Sequence, residues 1–292
     1  MSRRGWILFL LLGFIWGLPY LLIKVAVDEL TPPVIIFLRV FIAAAVLIPI
    51  AWKKGYLSQL SGHWPWIIGF ALIEMAGPFG ALTYAEIRLS SSMTGLLVAA
   101  VPIVAAIIAW RLGMDDRLTG TRLAGLGIGI LGVAALVGLD VTGGDIGSVA
   151  ALMITVVGYA LGPIIVARKL TEVPALAAIA MAVLINAIIY APFAYFTWPT
   201  SSVSAITWTS VIALGLICTA LAFILFFALV AEVGPARTTV ITYINPAVAV
   251  VLGIVILSEP ITAGLLIGFP LILLGSFLAT RKAPAFEGEP IG

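Results

Sequence analysis

Residues 90–105 read S-S-S-M-T-G-L-L-V-A-A-V-P-I-V-A, and residues 234–249 read G-P-A-R-T-T-V-I-T-Y-I-N-P-A-V-A. A shift of 144 residues lays Pro102 on Pro246, Asp115 on Glu259 and Gly120 on Gly264. The same shift lays Pro19 on Pro163 and Lys24 on Arg168. Apolar composition alone does not align prolines and charges at one offset over so long a stretch. The pattern reads as an internal duplication, each half about as long as the offset.

The chain has 292 residues, of which 63% are hydrophobic and only 10% charged. Soluble domains carry about 25% charged residues, and long uncharged apolar runs indicate membrane spans. A mean hydropathy of +1.24 over the whole chain leaves no room for a separate soluble domain. The net charge of +2, with scattered basic residues, gives no nucleic-acid footprint. Cys218 is the single cysteine, which excludes an internal disulfide and a thiolate cluster. Arg3 and Arg4 before an apolar run could begin a signal peptide, but the run from Trp6 to Ile23 is long enough to span.

Expected spans are 6–27, 33–52, 64–85, 92–111, 120–139, 147–167, 174–197, 205–230, 237–257 and 262–280, each near the twenty or so residues a helix needs to cross. The expected fold is therefore an all-α membrane protein of ten helices. With the N-terminus inside, the cytoplasmic segments carry Arg3, Arg4, Lys53, Lys54, Arg111, Arg117, Arg122, Arg168, Lys169, Arg237, Arg281 and Lys282. The outer loops carry Arg88 among Asp28, Glu29, Glu86, Asp140, Asp145 and Glu259. This bias follows the positive-inside rule and places both termini in the cytoplasm. An odd number of helices per half then forces the halves into opposite orientations. The expected units are repeats at 1–142 and 143–282 with a cytoplasmic tail at 283–292. Inverted repeats are a transporter plan, with the site near midplane between them. Trp6, Trp52, Trp64, Trp66, Trp110, Trp198 and Trp208 fall near expected helix ends, as an aromatic belt should.

Trp16 is the exception, mid-span. Trp16, Tyr20 and Lys24 form one helical stripe beside Pro19, whose missing N–H tends to kink a helix. Glu74 lies near the centre of the third span, where a carboxylate costs on the order of 3 kcal/mol unless paired, protonated or wet. Regular helical spacing gives it Gly77, Pro78 and Ala81 as face-mates; its counterpart at the repeat offset is Cys218. The plainer reading of Glu74 is a neutral hydrogen bonder between helices. Arg39 lies roughly 9 Å into the second span at 1.5 Å per residue. Its plainer reading is an outward snorkel or a pair with Asp28 or Glu29. Tyr159, Asn186, Thr219, Tyr243 and Asn245 are the polar groups inside spans of the second half, with interhelical hydrogen bonding as the plain account.

The expected substrate cavity comprises Trp16, Pro19, Tyr20, Glu74, Gly77, Pro78, Ala81, Tyr159, Pro163 and Thr219, between the first, third, sixth and eighth spans. Glu74, Arg39 and Lys24 are candidates for charge coupling. Gly13 and Gly17, echoed by Gly158 and Gly162, read as close helix packing. Gly127, Gly129 and Gly132 match G-x-G-x-x-G, yet inside an apolar helix they lack the strand that a dinucleotide site requires. His63 has no second histidine or cysteine with which to bind zinc. No metal, cofactor or catalytic set is expected, since an intramembrane enzyme needs clustered acids or histidines within the spans.

Trp16, Gly17 and Lys24 as W-G-(x6)-K, Phe37 to Arg39 as F-L-R, and Pro102 followed by Asp115 resemble the EamA repeat. The second half repeats its end: Pro246, then Ser258-Glu259-Pro260, then Gly268 to Gly275. The resemblance covers nearly the whole chain, with two departures: Asp115 stands where Glu is usual, and Ala160-Leu161 replaces W-G in the second copy. It implies the drug/metabolite transporter superfamily, with ten helices around a central cavity. Within it the chain looks most like bacterial exporters of aromatic amino acids. The resemblance implies a small-molecule substrate, amino acids or similar metabolites, exported across a bacterial inner (plasma) membrane by alternating access. A multidrug or nucleotide-sugar carrier of the same fold is the alternative. Membrane lipid is the other expected partner, and a monomeric state is compatible with this plan.

Overall fold

The computed structural model describes residues 2–113, 119–141, 145–234 and 238–280. Asp115, Arg117, Pro235, Arg237, Arg281, Lys282 and the 283–292 tail lie outside the described residues. Helix follows helix, with no strand among the described residues. The order is α1 (Arg3–Ala26), α2 (Pro32–Lys53), α3 (Trp64–Glu86), α4 (Ser91–Arg111) and α5 (Gly120–Asp140) in the first half. In the second it is α6 (Ile146–Lys169), α7 (Ala175–Phe196), α8 (Ala205–Val233), α9 (Ile241–Leu257) and α10 (Ala263–Thr280). Nine of these are long and apolar enough to cross a membrane; α9 is the shorter one.

Local chemistry sets the ends. Ser2, Ser90 and Ser204 accept the N–H groups of Gly5, Met93 and Thr207 and so cap α1, α4 and α8. Pro32 and Pro33 open α2, where the missing N–H costs nothing. Gly234, at φ 80°, stops α8 in a conformation that a side chain would strain.

The halves do not fold apart; they interleave by one exchange rule. Most pairings of an element in one half with an element in the other have a mirror image; the packing of α4 on α10 has none of comparable extent. α1 packs on α8 and α9, and α6 packs on α3 and α4. α2 pairs with α7, α4 with α9, and α5 with α10. Four helices lie between α1 and α6, and since each span reverses direction the equivalent helices enter from opposite faces. This is the inverted two-repeat arrangement. Contact between spans cannot draw on the hydrophobic effect, because lipid is as apolar as leucine; close packing and hydrogen bonds replace it. At α5–α10 the backbones abut: a side chain at Gly275 would run into Gly129, and one at Gly132 into Ile272. Gly129 and Gly132 of the G-x-G-x-x-G run thus lie in a packing seam, while Gly127 faces open space. The outer surface remains apolar, with Leu131, Phe193, Val255 and Leu266 exposed, as a lipid-facing girdle requires.

Two spans are not uniform helices. α3 widens into a π-helical turn at Ala71–Ala76, and α8 does so at Leu216–Leu221. These helices are equivalent under the exchange. α4 and α9 also match: α4 breaks at residues 99–100 before Pro102, and the chain is 3-10 over Thr239–Tyr243 before Pro246. The single long helices expected at 64–85, 92–111 and 205–230 are corrected accordingly. Proline removes a donor in α3 and α4, and the freed carbonyls find other partners.

Candidate functional site

A π turn leaves carbonyls that the regular ladder no longer serves, and side chains from the other half serve them here. Asn186 on α7 donates to Ala71 O at 3.0 Å, and Tyr190 on α7 donates to Ala76 O at 2.7 Å. Thr155 on α6 donates to Pro78 O at 2.9 Å. In α8, the Thr219 hydroxyl donates back to Leu214 O at 2.8 Å. Asn186 and Thr219 therefore bond between or within helices, as their plain reading expects. Tyr243 does so too, donating to Ser276 O at 3.1 Å.

Glu74 sits within the α3 turn and lies along α6 at Gly162. A side chain at Gly162 would collide with the Glu74 carboxylate, and one at Gly158 with Ile73 O and the Pro78 ring. The glycine pair on α6 is the bed that the widened turn occupies. Glu74 Oε2 is buried without a hydrogen-bond partner among the described residues. The expected face-mates are partly displaced, because the wider turn advances the register by a residue: Pro78 is buried, Gly77 exposed and Ala81 half-buried.

Arg39 departs most from its plain reading. It is 8% exposed and points inward: Nε donates to Thr219 Oγ1 at 3.0 Å, and the guanidinium lies 4.1 Å from the Phe79 ring centroid. It neither snorkels nor pairs with Asp28 or Glu29. Glu29 is engaged elsewhere, accepting the Ser204 N–H at 2.7 Å, and the inward hydroxyl and ring hold the guanidinium in place. Arg39 interacts electrostatically with Tyr159, Cys218, Tyr20 and Glu86; Tyr159 in turn interacts with Glu74. Two acids, Glu74 and Glu86, one guanidinium and two phenols from α1, α2, α3 and α6 thus share one electrostatic neighbourhood where the halves meet, with Thr219 from α8.

Trp16 stands nearby in an aromatic patch of its own, 6.0 Å from Phe223 and 5.2 Å from Phe226 of α8. Pro19 is buried in α1, whereas its equivalent Pro163 is exposed on α6. Lys24 caps carbonyls instead of joining the cluster: Nζ donates to Glu86 O at 2.7 Å and Leu89 O at 2.9 Å, closing the end of α3. Glu86 is a correction to the sequence reading, which put it in an outer loop. It lies in the last turn of α3, fully buried, with neither carboxylate oxygen hydrogen-bonded among the described residues. Lys24 and Glu259 share its electrostatic surroundings. Only its position at the edge of an expected span hinted at this.

The face opposite the chain's termini is stitched by acids on helix N-termini. Glu259 accepts the N–H groups of Ser91 and Ser92 at 2.7 and 2.9 Å. Asp140 accepts the Thr262 hydroxyl and the Gly264 N–H. Each contact joins one half to the other.

The sequence matches the model of the EamA-like transporter family twice, over residues 3–138 and 146–281. The chain belongs to the EamA-like transporter family. Among EamA-type relatives, an uncharacterized transporter of Bacillus subtilis, YvbV, is 25% identical over 97% of this chain and 94% of that protein. A probable amino-acid metabolite efflux pump of Salmonella typhimurium is 25% identical over 95% of each chain. A solved crystal structure with 22% identity superposes at a TM-score of 0.69, covering 96% of this chain and 98% of the other, and so shares the fold of this chain. The protein is a multi-pass membrane transporter of this family, consistent with the two exchanged halves and their apolar girdle.

Proposed function

We propose that this transporter exports small neutral amino acids, aromatic ones among them, across a bacterial inner membrane by alternating access. The observation that carries the reading is the junction where Arg39 of α2 bonds Thr219 of α8 and Glu74 of α3 lies against Gly162 of α6, with the Tyr20 and Tyr159 phenols in the electrostatic surroundings of Arg39. An amino acid needs a cation for its carboxylate, an anion for its ammonium and apolar area for its side chain. Trp16, with Phe223 and Phe226, supplies rigid aromatic area at small entropic cost. Further support comes from the relative named as a probable amino-acid metabolite efflux pump.

Both termini are cytoplasmic in this reading, with repeats at 1–142 and 143–282 crossing in opposite senses and the 283–292 tail inside. Rocking of one repeat against the other exposes the site to each side in turn. The matched irregular turns in α3 and α8 are natural places for that movement, because a π turn can change register at little cost. The test is counterflow in liposomes with radiolabelled phenylalanine, threonine and a lipophilic cation. Phenylalanine and threonine should exchange. Uptake of the cation alone would replace this reading with a multidrug one.

A further inference from the structure

Arg39 carries a charge into the middle of the bundle, and nothing among the described residues neutralises it by contact. Among the described residues no carboxylate lies within ion-pair distance, and its one hydrogen bond, from Nε to Thr219 Oγ1, goes to a neutral hydroxyl. The two terminal nitrogens make no hydrogen bond there. Burying a guanidinium in this way is costly unless a partner arrives, because such groups are paired or hydrogen-bonded almost without exception inside membranes.

The acid that could have served as the partner is held apart. Glu86 is fully buried and lies within the electrostatic reach of Arg39, yet neither of its oxygens makes a hydrogen bond among the described residues. Meanwhile the guanidinium is fixed in orientation: Phe79 lies under its face, and Thr219 holds Nε. Thr219 is itself fixed by its bond to Leu214 O across the α8 turn. Such a held fork, with its two outer nitrogens unused, suits a planar two-oxygen anion, which it would meet through parallel N–H donors.

We propose that Arg39 is the substrate-carboxylate anchor, with Thr219 and Phe79 as positioning residues and the Tyr20 and Tyr159 phenols beside it. This rests on the reading of the chain as an amino-acid exporter and makes it specific: the carboxylate is required, and amines lacking it are rejected. A cation that is short of a partner attracts an anion and repels a lipophilic cation, so the same residue provides affinity and exclusion.

The test compares three ligands that share a phenyl ring, using full-length protein in detergent and in liposomes. Phenylalanine has both charges, 3-phenylpropionate only the carboxylate, and phenethylamine only the ammonium. Phenylalanine and 3-phenylpropionate should raise the thermal unfolding temperature of the parent, and phenethylamine should not. In Arg39→Gln, the concentration of either carboxylate needed for protection should rise at least tenfold, with Arg39→Lys intermediate. The comparison of ligands on the parent protein needs no variant to fold. Protection by phenethylamine equal to that by phenylalanine overturns the proposal, as does the failure of both carboxylates to protect. So does a folded Arg39→Gln protein that binds phenylalanine as the parent does. Protection by 3-phenylpropionate that is lost in Arg39→Gln, without any phenylalanine exchange in liposomes, keeps the anchor and removes the amino-acid reading. Phenylalanine exchange that persists in Arg39→Gln keeps that reading and removes the anchor.

Discussion

Arg39 Nε donates to Thr219 Oγ1 at 3.0 Å, and this bond joins the second helix of one half to the irregular turn of the third helix in the other. The hydroxyl bridges the two, because it also donates to Leu214 O. Thr219→Val keeps the shape and strands both partners. Its expected cost is about 1–3 kcal/mol, since a buried donor on a charged group loses its acceptor. Thermal unfolding in detergent should show the loss, and Thr219→Ser should restore most of it. A Thr219→Val protein as stable as the parent would mean that the bond carries no weight.

Gly162 makes a second prediction that leaves the acid itself untouched. A methyl group there would occupy the space of the Glu74 carboxylate, so Gly162→Ala should displace Glu74 and reduce transport while the protein still folds. Glu74→Gln keeps size and hydrogen bonding but removes ionisation. If charge is used in the cycle, its transport should fall and lose its dependence on pH. If Glu74→Gln matches the parent at every pH, Glu74 is a packing residue, and Gly162→Ala would then act through packing alone.

Outside the spans, Glu29 gives a pH prediction. The Ser204 backbone N–H, then its side chain, hold the Glu29 carboxyl below its ordinary value of 4.5. A group whose folded value is lowered adds stability above the ordinary value and loses it as pH falls through the folded one. The stitch between the α1–α2 connection and the start of α8 should therefore be intact at neutral pH and loosen only in acid below 4.5. Glu29→Gln should flatten that part of the stability profile. The group is fully exposed, so the effect at neutral pH is small.

Orientation can be tested with reporters. A fusion after Asp145 to an enzyme active only outside should be active, and one after Lys54 silent. The reverse pattern would place the termini outside and invert the positive-inside argument.

The two acids show how far the sequence reaches. Glu74 was recognisable as unusual because a carboxylate amid twenty apolar residues is costly wherever the chain goes. Glu86, buried more fully than Glu74, was not, because a charge at the edge of a span looks the same whether it turns toward water or inward. Trp16 and Tyr20 were legible as one stripe, yet the Trp16 aromatic patch is completed by Phe223 and Phe226, some two hundred residues on.

The ten spans are legible locally, because bilayer thickness imposes a length and an apolar composition, and the duplication and family follow from prolines, glycines and charges recurring at one offset. The tertiary structure alone decided which groups meet. A π turn in α3 and another in α8 rotate everything beyond them by part of a turn, and no local spacing rule anticipates that. The inward turn of Arg39 depends on a hydroxyl 180 residues away, and the seat of Glu74 on a missing side chain at Gly162. Those contacts exist because the inverted halves interleave, and interleaving is a property of the packed bundle.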